Sequence, residues 1–246
     1  MNFSQDYTKF FDLNPYKTSN GFELDTTDPQ FVVQHRYDLT KNDFVRGCAG
    51  FLTEYDILQP TATAIAYAVF ERMADQRLHY HTPVHVLSMF QFAEREFPDQ
   101  AFAPWEELAI WFHDSVYIPQ LPGTNEELSA QFMHAMVGPA FTNSELSAAQ
   151  FAIETTAQHL DSVTNPLYDT IMDLDLVALS WTDSIAIRGN CIRKEFDYID
   201  DETYNKNRKA FLNRLLSKGF IFRSPEFKDR YEAITIENIK RDLENV

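Results

Sequence analysis

In 246 residues the chain has only seven glycines and eleven prolines. So few turn-forming residues do not suit a sheet-rich architecture, and helices are the expected elements. Cysteine is rarer still. Cys48 and Cys191 follow no metal-binding spacing and could make at most one bridge. This excludes a disulfide scaffold and is what free thiols in a reducing compartment would look like. The N-terminal stretch has no secretory apolar segment, and no apolar run approaches the roughly 20 residues of a membrane span. A cytoplasmic protein with no membrane partner is therefore expected. Basic residues are also in deficit: 21 against 37 acidic ones leave a net charge of −16, with a pI near 4.7. Such a surface repels a phosphate backbone, which excludes nucleic acid as a partner. A small phosphorylated molecule remains compatible where a metal ion and arginines invert the field locally. Apolar residues at 44% and aromatics at 14% exclude disorder and suffice for a sizeable core.

Residues 1–55 read as an N-terminal arm packed on a body spanning 56–246. Asn14-Pro15, Asn20-Gly21 and Asp28-Pro29 are turn signals in an irregular segment, and residues 42–58 are expected to be helical only in part. From Thr61 the pattern is regular. Ile65, Ala66, Val69, Phe70 and Met73 share one helical face. Thr82-Pro83 marks the start of a helix running toward Phe97-Pro98, and Pro104 opens another whose Leu108–Phe112 interior is apolar all round, as in a buried helix. Thr124 and Glu127 read as a capping box for a helix over 125–137. Further helices are expected from 143 or 144 to His159, over 167–180, and over about 182–199, 202–217 and 225–243. The fold class is all-α.

Four of the seven histidines lie between positions 79 and 113: His79, His81, His85 and His113. His81 and His85 are four apart across a helix start, so they can share a face. His113-Asp114 ends the all-apolar helix, and Asp173 and Asp175 interrupt a second buried one. Ionised carboxylates in such places cost several kcal/mol unless they are paired or bound to metal. One divalent cation held by two imidazoles and two carboxylates accounts for these placements together. Mixed nitrogen and oxygen ligands suit Mn, Co, Ni, Fe or Mg better than a closed structural Zn site. Asp173 could instead be a salt-bridge partner of Arg188 or Arg193, and His79 and His134 read as scaffold.

In this order, His85, His113-Asp114 and Asp175 resemble the H…HD…D signature of the HD superfamily of metal-dependent phosphohydrolases, an all-helical fold. The stretches 79–85, 111–117 and 125–130, together with Asp173-Leu174-Asp175-Leu176 and Ile192-Arg193-Lys194-Glu195-Phe196, resemble a bacterial branch of predicted phosphohydrolases. The resemblance covers roughly 60–243. It implies an HD-domain helical bundle and a divalent metal (Mn, Co, Ni, Fe, Mg or Zn) on His85, His113, Asp114 and Asp175, with Asp173 as the alternative fourth ligand. Tyr80-His81 followed by His85 also resembles the start of cyclic nucleotide phosphodiesterase domains, which implies His81 as general acid; Thr82 stands where those enzymes have Asn.

On this reading Asp114 accepts a proton from a metal-activated water, and Glu126 is the carboxylate expected to keep His81 protonated, unless Glu126 serves only the helix dipole. His159 could bind a second metal or a phosphate, or simply cap a helix C-terminus. Arg193, Lys194 and Arg208 could clamp phosphate or form a solvated face. The expected activity is hydrolysis of a phosphate ester or anhydride, with a nucleotide as the small-molecule partner. A cyclic nucleotide or cyclic dinucleotide phosphodiesterase and a non-catalytic metal- or nucleotide-binding regulator are the alternatives. A homo-oligomer is left open.

Overall fold

The computed structural model describes residues 1–9, 29–99, 101–121, 123–161, 165, 168–181 and 185–245. Among these residues there are ten α-helices and no strand, so the all-α expectation holds. The helices are α1 (Pro29–Thr53), α2 (Gln59–Met73), α3 (Pro83–Glu96), α4 (Pro104–Phe112), α5 (Asn125–Val137), α6 (Asn143–Thr156), α7 (Asp169–Leu176), α8 (Ile185–Glu195), α9 (Asp201–Ser217) and α10 (Pro225–Asn245). Short 3-10 turns, Gly138–Ala140 and Val177–Ser180, follow α5 and α7. Pro29, Pro60, Pro83, Pro104 and Pro225 all fall in the first two positions of a helix, where the missing N–H costs no hydrogen bond. No helix among the described residues is long and apolar enough to cross a membrane.

Two local expectations change. Thr124 does not form a capping box with Glu127; its hydroxyl turns back and donates to Leu121 O at 3.0 Å. The capping box lies one helix later, where Thr142 and Glu145 exchange bonds at the start of α6. The arm also differs from a mostly irregular segment, because residues 29–53 form one continuous helix. Phe44, Cys48 and Leu52 recur every four residues and are fully buried, so α1 is held by tertiary packing along α2 and against α3. The turn signals Asn14-Pro15 and Asn20-Gly21 lie outside the described residues. Residues 1–9 are pinned to the same helix by Asp43, which accepts from the N–H and hydroxyl of Ser4 and from the buried Tyr7 hydroxyl. Cys48 and Cys191 are both buried, and neither is in a disulfide.

α4 positions the site. Leu108, Ala109, Ile110, Trp111 and Phe112 are at most 1% exposed, so the helix runs through the core and releases His113-Asp114 inside the protein. α6 packs across α4 and α5, and α7 reaches α3, α4 and α6. The N-terminus of α3, the C-terminus of α4 and the whole of the short α7 therefore meet at one place.

Candidate metal centre

His85 lies in the first turn of α3, and its Nε2 is 2.9 Å from Asp175 Oδ1 and 3.8 Å from Asp114 Oδ2. His113 caps α4 and is oriented by its own helix, since its Nδ1 contacts Ile110 O at 3.0 Å. Its Nε2 is thereby presented to Asp114 Oδ2, 3.1 Å away, yet neither atom makes a hydrogen bond. His85, His113 and Asp114 can each offer one ligand atom, with these atoms all within 4.8 Å of one another. With the imidazole protonated the two atoms make an ion pair; with it deprotonated, a buried nitrogen and a buried oxygen donor face each other, a set that fits a divalent metal. The hydroxyls of Thr82 and Ser115, adjacent in sequence to His81 and Asp114, are likewise buried without a hydrogen-bond partner.

Of Asp173 and Asp175 in α7, Asp175 joins this cluster. Its second oxygen meets His159 Nε2 at 2.7 Å, so one carboxylate bridges His85 and His159. Asp173 is fully buried and engaged elsewhere, accepting from the N–H groups of Arg223 and Ser224 and from the Ser224 hydroxyl. Side chains two apart on a helix diverge by about 200°, which is why one serves the site and the other does not. His159 does not end α6 but lies in the turn that follows it.

The electrostatics follow from this crowding. Burial lowers the pKa of His85, which favours its neutral form despite the neighbouring Asp175. Burial works against charge on His113 too, but the adjacent Asp114 outweighs it and raises His113 to about 9. The surrounding imidazoles hold Asp114 and Asp175 below the usual carboxylate range, overcoming the opposing effect of burial. Both aspartates are therefore ionised near neutral pH.

His81 stands beside the cluster with a different partner from the one expected. The carboxylate on its ring is Glu195, with Oε2 at 2.7 Å from His81 Nδ1, and not Glu126. Glu195 Oε1 accepts from three successive backbone N–H groups, those of His79, Tyr80 and His81, at 2.8, 2.6 and 2.9 Å. One buried carboxylate thus fixes both the loop before α3 and the imidazole it carries. Burial disfavours charge on His81, but Glu195 and then Asp114 more than offset it, raising the pKa to about 9. Tyr117 lies flat on the imidazole, with ring centroids 3.6 Å apart and planes at 15°. Glu126 keeps a buried carboxylate oxygen without a partner. A sequence signal for Glu195 did exist: it follows Cys191 by four residues, on the buried face of an otherwise charged helix.

The expected phosphate clamps are not brought to the cluster. Arg193 bonds Asp201 and the carbonyls of Phe196 and Ile199, tying off the turn between α8 and α9. Arg208 forms a buried pair with Asp242 of α10, and Lys194 is exposed. His134 contacts Gln150, in keeping with a scaffold role. Compared with known proteins, the chain matches no family model, no curated sequence and no solved structure.

Proposed function

We propose that the protein is a metal-dependent phosphohydrolase of HD type that cleaves a phosphate ester or anhydride of a small molecule, a nucleotide being the expected class. The observation that carries this reading is the buried cluster of His85, His113 and Asp114, whose ligand atoms lie within 4.8 Å of one another, with His113 Nε2 and Asp114 Oδ2 outside hydrogen-bond geometry. The order His85, His113-Asp114, Asp175 and its resemblance to the HD signature support the same reading. These four residues would hold the ion. When bound, a divalent ion supplies Lewis acidity, lowering the pKa of a water and drawing electron density from a phosphoryl oxygen. Asp114, ionised near neutral pH, would accept a proton. His81 has Nδ1 committed to Glu195, so Nε2 is the atom from which it can protonate a leaving oxygen, and the raised pKa keeps that proton in place near neutral pH.

Purified protein loaded with Mn or Co, assayed against nucleoside mono- and triphosphates and cyclic nucleotides, tests the proposal. Turnover no greater than that of Asp114→Ala would sink it. The Tyr80-His81 stretch favours a phosphodiesterase as the second reading, and a linear nucleotide formed from a cyclic one would select it. Tight nucleotide binding with metal uptake and no product would point to a regulator.

A further inference from the structure

Asp173 and Asp175 leave α7 in different directions and close a circuit of contacts around His159. Starting from Asp175, the first contact is to His159 Nε2 at 2.7 Å. His159 lies in the turn after α6, where Asp161 N–H already donates to Gln158 O at 3.0 Å. Three carbonyls of that turn also accept from two cations from the far end of the chain. Arg223, with a side chain only 2% exposed, sends Nη2 to Gln158 O at 3.2 Å and Asp161 O at 3.1 Å, on either side of the histidine. Lys218, just past α9, sends Nζ to His159 O at 2.9 Å and to Ile221 O at 3.4 Å. Arg223 is itself tethered through its backbone, because its N–H donates to Asp173 Oδ1 at 2.7 Å. Ser224 next to it adds two bonds to the other oxygen, at 2.8 and 2.6 Å. Asp173 returns to α7, and α7 returns to Asp175. Asp169, on the same helix, places Oδ1 at 3.7 Å from Arg223 Nε and balances its charge.

Ordering a lysine and an arginine on a short turn costs side-chain entropy and desolvation, more than a connecting turn with no further role calls for. We propose that Lys218 and Arg223 are positioning residues of the metal centre: they lock the turn so that His159 meets Asp175 and holds its other oxygen toward His85. The inference rests on the metal-site reading above. Groups that orient a ligand carboxylate from outside the ligand set change metal affinity on the order of 10- to 100-fold when removed.

The test is calorimetric titration of the purified full chain with Co2+, comparing wild type, Lys218→Met, Arg223→Lys and His159→Ala, with Arg208→Lys as a buried ion-pair control away from the site. Lys218→Met and Arg223→Lys are each expected to weaken Co2+ by about tenfold, and to add nothing once His159→Ala is present. Arg208→Lys is expected to leave Co2+ affinity unchanged. Lys218 is less buried than Arg223, so its variant keeps the test open should Arg223→Lys not fold. A second readout needs no metal: in 15N-histidine spectra His159 should hold one tautomer, with Nε2 protonated toward Asp175, and lose it in the Lys218→Met protein. Unchanged affinity in Lys218→Met, or a loss equal in the wild-type and His159→Ala backgrounds, overturns the clamp. Wild-type protein that takes up no Co2+ overturns the metal reading instead, and the imidazole signals then decide the clamp alone.

Discussion

Replacing Glu195 by Gln is the sharpest probe of how this chain arranges its charges. Gln keeps a carbonyl oxygen for the three N–H groups of residues 79–81, so the loop before α3 retains its acceptor. What it removes is the negative charge on His81. The rise of His81 from 6.5 to about 9 corresponds to about 3 kcal/mol favouring the imidazolium in the folded state, of which Asp114 supplies a part. The depressed pKa of Glu195, held down by His81 against burial, arises from the same contact. Because the folded pKa of His81 lies above its unfolded value, this stabilisation is fully present below pH 6.5 and is lost as pH rises through about 9. Glu195→Gln should therefore destabilise the metal-free protein by about 2–3 kcal/mol at pH 6, and by much less at pH 9.5. Urea denaturation in the presence of a chelator at the two pH values measures this, and the His81 ring resonance gives the titration directly. A loss of the same size at both pH values, or a His81 pKa unmoved by the substitution, would refute the reasoning.

Asp173 and Asp175 should separate cleanly. Asp173→Asn leaves a buried amide where only acceptors are wanted and should cost about 2 kcal/mol in chemical denaturation without removing a ligand, whereas Asp175→Asn should abolish Co2+ uptake. Two glycines three apart on α1 should respond in opposite directions. A Cβ at Gly47 would come within 2.9 Å of the Trp111 ring, so Gly47→Ala should cost about 1–3 kcal/mol by overpacking. Nothing lies within 4 Å of a Cβ at Gly50, so Gly50→Ala should stabilise by about 0.5–1 kcal/mol; melting temperatures of the pair check both. Cys48, fully buried and with its thiol pushed up by burial, should react with a thiol reagent only as fast as the protein opens, so its labelling rate should follow denaturant concentration.

What the sequence determines by itself is local. The 3.6-residue periodicity of apolar positions, and prolines placed where a missing N–H is harmless, mark out most of the helices. The all-apolar Leu108–Phe112 stretch shows that His113-Asp114 must emerge in the interior. Burial of four ionisable groups at such points was legible as a problem that a cation could solve. Which carboxylate meets which imidazole was not legible, because those contacts join residues that are distant along the chain. His81 and Glu195 are 114 positions apart, His85 and Asp175 are 90 apart, and Arg223 reaches Gln158 across 65. Asp173 and Asp175 have the same sequence surroundings, and only the rotation of α7 against α3 and the start of α10 sends one to the cluster and the other to a backbone anchor. Arg193 and Arg208 likewise read as phosphate clamps or a solvated face until the packing of α8, α9 and α10 gave each a nearer anion or carbonyl. Periodicity is a property of neighbours and can be read along a chain, whereas the pairing of charges depends on which helix faces meet, and the folded structure alone decides that.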